Sequence, residues 1–267
     1  MYSQSIKQQG RALFANLACV TYVHPFLQGP TPLIFAHRGL HTSTRENTLA
    51  AFDAAIASGA THLETDVQVT ADGVAVLYHD DTLITPDRGR QSIGQLTRSE
   101  IENALGGSNQ LASLVDALAH LPHAKFNIDV KHIAAVDEVV SAITESASED
   151  RVLLTSFSNQ TVQALVAKSP LAAHGAPRGA VIGLKIAQLF NARRWARRLS
   201  RDIDALQVPE TAFGLRILTR RFVDFAHDLH LQVHVWTVND LETMRRLLDI
   251  GIDGIVTDRC DLAAKLR

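Results

Sequence analysis

The chain has 267 residues, 46% of them hydrophobic and 20% charged, with a formal net charge of -2. This is ordinary globular composition, with enough apolar material for a large core in one or two domains. It excludes a global basic field that would recruit nucleic acid, and no apolar run approaches the roughly 20 residues of a membrane-spanning helix.

Residues 1–30 read as a segment apart from the rest. Lys7 and Arg11 precede the apolar stretch 12–20, which Asn16 interrupts. The charges lie too far inside the chain for a secretory leader, so an amphipathic helix packed over one end of the fold is expected. Phe14, Tyr22 and Phe26 leave peripheral membrane contact open. Cys19 and Cys260 match no metal-binding spacing and read as free thiols in a reducing, cytoplasmic setting.

Residues 31–267 are expected to form one domain. Strands are predicted at 33–36, 62–67, 74–78, 126–130, 152–155, 180–182, 205–208, 232–236 and 254–256. Helices fit 46–58, 97–104, 111–120, 134–146, 160–167, 186–199, 219–229 and 240–250, with a stub at 262–266. This alternation is the signature of a parallel sheet with crossover helices. Arg193, Arg194, Arg197 and Arg198 share helical spacing and read as a solvated helix face.

Nine strand candidates are one too many for an eight-stranded barrel. Only Thr70-Ala71-Asp72-Gly73 separates Val69 from Val74. Parallel neighbours need a crossover of about a dozen residues, whereas a short Asp-Gly turn joins antiparallel ones. The run 74–78 therefore folds back as a hairpin. What remains is an α/β fold, a (β/α)8 TIM barrel with an extra hairpin strand in the loop after strand two. Barrel active sites form at the C-terminal ends of the strands. The long insert 81–110 is placed to act as a lid over such a site.

Polar groups collect at those strand ends. Glu64 and Asp66 are two apart, so both face the lumen from one strand. Asp129 gives strand three an inward carboxylate, with Lys131 on the same side. Inward carboxylates repel and need a cation. Three oxygen ligands without a thiolate favour a hard ion, Mg²⁺ or Ca²⁺; a metal-free network of Glu64, Asp66, Asp129 and Lys131 is the alternative. Strand one ends in His37, able to trade a proton near neutral pH, and Arg38, whose planar fork matches phosphate oxygens. Pairing about the 70–73 turn sets His79 roughly opposite Glu64, so the two histidines approach one centre. Glu46 begins the first helix, as a first-turn carboxylate or as a partner orienting Arg38 or a metal-bound water. Phe157 and Trp236 offer walls for an apolar or glycerol moiety, with core packing as the alternative for Trp236. The set suits a phosphodiester held beside a hard metal ion.

These residues fall into motifs: His37-Arg38-Gly39, Glu46-Asn47-Thr48, Glu64-x-Asp66-Val67, Asp72-Gly73, His79-Asp80, Asp129-x-Lys131, Ser156-Phe157, Val235-Trp236-Thr237-Val238-Asn239 and Gly254-Ile255-Val256-Thr257-Asp258. In this order the chain resembles the glycerophosphodiester phosphodiesterases, metal-dependent barrel hydrolases, over about residues 31–260. The resemblance implies that His37 and His79 are general acid and base, that Glu64, Asp66 and Asp129 hold one divalent metal (Mg²⁺ or Ca²⁺, with Mn²⁺ as a third candidate), and that Arg38 and Lys131 hold the phosphate. It implies a small glycerophosphodiester or lysophospholipid as substrate. A lysophospholipase D or a cyclising lyase on the same barrel, and a catalytically silent phosphate-ester binder, are the rival readings. Arg45 stands where family members usually have Pro, Asp129 where they have Glu, and Ile84-Thr85-Pro86 where they have Arg-Thr-Thr; the last change borders the leaving group.

Overall fold

The computed structural model describes residues 23–212 and 214–267. Eight parallel strands follow one another around a barrel: β1 (Leu33–His37), β2 (His62–Val69), β6 (Lys125–Val130), β7 (Val152–Thr155), β8 (Ala173–His174), β9 (Ala205–Val208), β12 (Gln232–Val235) and β13 (Gly254–Thr257). Their order is β8-β7-β6-β2-β1-β13-β12-β9, and the short strands β10 (Thr211–Ala212) and β11 (Leu215–Arg216) pair only with each other. A parallel bridge between Gly175 and Ala205 joins the two ends. The Ala176 amide donates to the Ala205 carbonyl at 2.9 Å beside it. The sheet is thus a TIM barrel, as the sequence pattern predicts.

The extra strand β3 (Ala75–Leu77) pairs antiparallel with β2, with Val67 opposite Leu77. Its register differs by one residue from the sequence reading: the Tyr78 amide donates to the Asp66 carbonyl at 3.0 Å. The insert 81–110 carries more regular structure than the single predicted helix 97–104. It holds the hairpin β4 (Thr82–Thr85) and β5 (Gly89–Ser92) and the helix Arg98–Leu105. Leu83, Ile93, Leu96, Ile101 and Leu111 bury a small core of their own with Val76.

One predicted strand is wrong. Residues 180–182 lie inside the helix Arg178–Leu189, and the fifth barrel strand is the two-residue β8. The β-branched pair Val181-Ile182 suggested a strand, but Leu184 and Ala187 supply a buried helical face that overrides it. The predicted helix 186–199 is likewise two helices, Arg178–Leu189 and Arg193–Leu199. The chain turns at Asn191, whose φ of 52° is the left-handed conformation that asparagine tolerates. The first helix starts at Leu49, not at Glu46. Thr48 is its N-cap, accepting from the Ala51 amide, and Glu46 is left in the loop.

Strand alternation builds two cores. Ile34 and Ala36 face the helices, while Leu33 and Phe35 face the lumen with Leu153, Ala173, Ala205 and Val256. Gly254 is required in that lumen, because a Cβ there would lie 2.7 Å from the Phe35 ring and 2.9 Å from His234. The floor is closed by the short 3-10 turn Pro25–Leu27. Phe26 is fully buried, packed edge-on against His62 at a centroid distance of 4.7 Å. Its carbonyl accepts from Lys125 Nζ at 3.1 Å and bonds His62 Nε2 at 2.8 Å. Phe26 is therefore a plug and not a membrane contact. The helix expected over 12–20, with Phe14, Cys19 and Tyr22, lies outside the described residues.

Candidate active site

The site lies where β1, β2, β6 and β13 end. His37 is level with Glu64 across the β1–β2 ladder, and Asp66 with Asp129 across β2–β6. This register brings residues far apart in sequence to one rim.

Immediately after His37 the backbone turns sharply. Arg38 has φ 58° and Gly39 φ 81°. Gly39 admits no side chain, since a Cβ would meet the backbone of Ala51 at 2.7 Å. The turn lets the Arg38 amide donate to Glu64 Oε2 at 3.0 Å. The Arg38 guanidinium donates to both oxygens of Glu46 at 3.1 Å, so Glu46 orients Arg38. Arg38 Nε lies 3.0 Å from Asp66 Oδ2, but the N–H is not aligned on that oxygen. A buried cationic donor is left without an aligned acceptor.

Asp66 is the hub. Its Oδ2 accepts from Asn47 Nδ2 at 3.1 Å, and its Oδ1 lies 2.7 Å from Lys131 Nζ. Lys131 also donates to Asp129 at 2.7 Å. Burial acts to raise the Asp66 carboxyl, but Lys131 and Arg38 hold it below its ordinary value. Asp129 goes the other way: burial pushes it up, and Lys131 only partly offsets this. Glu64 is pushed well above the usual carboxylate range by burial, reinforced by Asp66 and Asp129.

Both histidines have a carboxylate behind them. His37 Nδ1 lies 2.6 Å from Asp258 Oδ1, and His79 Nδ1 lies 2.8 Å from Asp80 Oδ1. An ionised carboxylate has no proton to give, so Nδ1 donates and Nε2 is the exchangeable nitrogen in each ring. The two pairs differ in exposure: the Asp258 side chain is 31% exposed and Asp80 69%. Asp258 is fixed further by Asn239 Nδ2, which donates to its Oδ2 at 2.7 Å. The hydrogen bond from His37 is the chief reason that the Asp258 carboxyl lies well below its ordinary value. A third imidazole, His41, approaches Asp258 Oδ1 at 3.5 Å.

Farther round the same rim Phe157 and Trp236 meet edge to face, with centroids 5.9 Å apart. The Arg178 guanidinium stands 5.3 Å over the Phe157 ring. His234, which shares a strand face with Trp236, sits deep in the lumen. Burial holds both His234 and His62 neutral, lowering each to about 3.

The sequence reading gave no role to Asp258, Asn239, Asn47 or His41. Asp258 and Asn239 stand at the ends of motifs, but only the fold brings them to His37. Asn47 bonds Thr65 and Asp66 from a left-handed conformation, φ 56°. Its place inside the Glu46-Asn47-Thr48 motif was the signal that marked it.

The model of the glycerophosphoryl diester phosphodiesterase family matches residues 37–262. The chain belongs to that family. It is accordingly a phosphoric diester hydrolase of the glycerophosphodiester phosphodiesterase kind. Among its relatives is a probable glycerophosphodiester phosphodiesterase of Mycobacterium tuberculosis, 36% identical over 241 residues, covering 89% of this chain and 91% of the relative. A glycerophosphodiester phosphodiesterase of Caldanaerobacter subterraneus is 27% identical over 85% of this chain and 93% of its own. Among solved structures, the glycerophosphodiester phosphodiesterase of Thermotoga maritima superposes with a TM-score of 0.70 at 25% identity, covering 90% of this chain and 100% of that one. A phosphodiesterase of Oleispira antarctica, solved with the product sn-glycerol-3-phosphate, shares the fold with a TM-score of 0.69 at 22% identity, covering 88% of this chain and 97% of that one.

Proposed function

We propose that this family member hydrolyses glycerophosphodiesters to an alcohol and glycerol 3-phosphate, using one divalent metal ion and the imidazoles of His37 and His79. The observation that carries this reading is a charge mismatch beneath two carboxylate-backed histidines. Among the described residues Glu46, Asp66 and Asp129 form ion pairs only with Arg38 and Lys131, and the buried Glu64 has no ion pair of its own.

A hard divalent ion fits this donor set in charge and chemistry. Glu64, Asp66 and Asp129 would hold it. Among the described residues no three such side chains already converge as a metal cage, and Lys131 Nζ lies 2.7 Å from both Asp66 Oδ1 and Asp129 Oδ2. When bound, the ion supplies positive charge for the non-bridging phosphate oxygens; Mg²⁺, Ca²⁺ or Mn²⁺ meets the requirement.

The remaining steps belong to the chain. Arg38 offers its unaligned Nε–H and Lys131 its ammonium to phosphate oxygens. One histidine takes the proton of the nucleophile at Nε2, and the other gives a proton to the departing alcohol oxygen. Phe157 and Trp236 cover the carbon skeleton of the glycerol. The Oleispira relative, solved with sn-glycerol-3-phosphate, supports that product. We place the reaction in the cytoplasm, in keeping with the free, buried Cys260 thiol.

The test is phosphorus NMR of products from a panel of glycerophosphodiesters and lysophospholipids, after chelation and re-addition of each metal. Glycerol 3-phosphate is expected, and lysophosphatidate or a cyclic phosphate overturns the assignment. His37→Ala and His79→Ala should each lower kcat by about 10²-fold or more. Rates near the parent's in saturating metal remove the histidines from those roles.

A further inference from the structure

The strongest feature outside the site is the helical hairpin after the fifth barrel strand. The helix Arg178–Leu189 buries Gly183, Leu184 and Ala187 on one face. Its opposite face carries Ile182, Ile186, Leu189 and, just past its end, Phe190. Ile182, Ile186 and Phe190 are four residues apart and Leu189 is three from Ile186, the spacing of one helical stripe. They are exposed by 51%, 40%, 66% and 80%. Trp195, on the antiparallel helix Arg193–Leu199, adds a ring that is 42% exposed. Single exposed apolar residues need no explanation, but a stripe of them does.

The hairpin's own charge is one-sided, while Asp224 and Asp228 of the neighbouring segment line a groove with its Gln188, Asn191 and Arg193. No Asp or Glu occurs anywhere between Asp150 and Asp202, although the whole chain holds 28. Arg194, Arg197 and Arg198 are exposed on the same helix as Trp195. No acidic partner is found for these three among the described residues. Arg193, at the hairpin's edge, pairs with Asp228 at 2.9 Å on the neighbouring segment. The hairpin is therefore an apolar ridge flanked by unneutralised guanidinium groups, on a protein whose net charge is -2.

We infer that this hairpin is a peripheral docking surface for an anionic phospholipid bilayer. Leucine, isoleucine and aromatic side chains enter the acyl–headgroup boundary while flanking arginines meet lipid phosphates. The charge decides among occupants. A second copy of the chain related by a two-fold axis would set Arg194, Arg197 and Arg198 against themselves. Nucleic acid would meet the cations but leave the aliphatic ridge unused.

The surface leaves the catalytic mouth open. Arg178, the first residue of the helix, stands over Phe157 at the rim. Twelve helical residues rise about 18 Å, so Leu189 and Phe190 lie at the far end of that helix. Docking tethers the enzyme at a membrane without covering its site, and turnover of a water-soluble substrate is independent of it.

The test is co-sedimentation of the full chain with vesicles of phosphatidylcholine alone or mixed with phosphatidylglycerol. Partitioning onto the anionic vesicles is expected, weakened by salt and absent on phosphatidylcholine. Leu189→Ser with Phe190→Ser should reduce it at least about tenfold. Arg194→Glu with Arg197→Glu should reduce it similarly. Both pairs should keep the parent's melting temperature and its turnover of glycerophosphocholine, which shows that the fold is intact. The inference fails if the parent does not bind, or if the Leu189/Phe190 pair binds like the parent. It also fails if light scattering shows a dimer that this pair abolishes.

Discussion

Asp258→Asn tests the site most sharply. Asn239 Oδ1 accepts from Thr257 Oγ1 at 3.1 Å and from the backbone amide of residue 258 at 2.9 Å. Those bonds fix its amide, so its Nδ2 must donate toward residue 258. The introduced amide has to turn its carbonyl to Asn239 and its NH₂ to His37. His37 Nδ1 then becomes an acceptor, its proton moves to Nε2, and the lone pair leaves the reacting side. Lost charge adds to this. A unit charge about 4 Å away contributes about 4 kcal/mol at an effective dielectric near 20. With Asp258 31% exposed, screening leaves roughly half, about 2 kcal/mol or about 30-fold. Together with the wrong tautomer, the expected loss in kcat is about 10² to 10³-fold. KM should barely move, since Asp258 does not contact the phosphate-binding groups. Asp80→Asn is the control: its carboxylate is 69% exposed, so the loss should stay within about fivefold. Steady-state kinetics on both variants in saturating metal decide the matter. Equal losses, or an Asp258→Asn enzyme within about fivefold of the parent, would refute the assignment of His37 as the histidine whose orientation is fixed by the fold.

Asp66→Asn should raise the metal concentration for half-maximal rate by about tenfold or more, and excess metal should restore only part of kcat, because Asp66 also holds Arg38, Lys131 and Asn47. A metal titration with an unchanged midpoint would remove Asp66 from the ligand set. His62 and His234 make the fold acid-sensitive. Their folded values near 3 lie below the ordinary 6.5, so their contribution is complete above about pH 6.5 and declines as pH falls toward 3. Each costs about 1.4 kcal/mol per pH unit in that window, or about 2 kcal/mol at pH 5. His234→Gln should therefore flatten the slope of unfolding free energy between pH 6 and pH 4 by about 1.4 kcal/mol per unit; denaturant melts showing parallel slopes would contradict the buried, neutral state of this ring. Phe26→Ala should lower stability by about 3–5 kcal/mol, the usual cost of emptying a packed aromatic site. A loss under about 1 kcal/mol would mean that the floor closes without it.

Much of this protein was legible in the residue order. The short turn 70–73 forbids a parallel connection, and that local fact alone separates hairpin from barrel strand. Period-two placement likewise fixes Glu64 and Asp66 on one face, because the pleat leaves no other choice. The fifth strand was hidden because two residues carry too little pattern to compete with Val181-Ile182, whose conformation is set by burial of Leu184 and Ala187. Glu46 was visible as a carboxylate near Arg38, but Thr48 took the cap and released Glu46 to orient the guanidinium. Asp258 and Asn239 were visible only as letters. Their role depends on β13 lying beside β1, a pairing of residues more than 200 positions apart that no local periodicity encodes. Which carboxylate runs high and which low depends on where Lys131 and Arg38 settle within a few ångströms, and that is decided by packing alone.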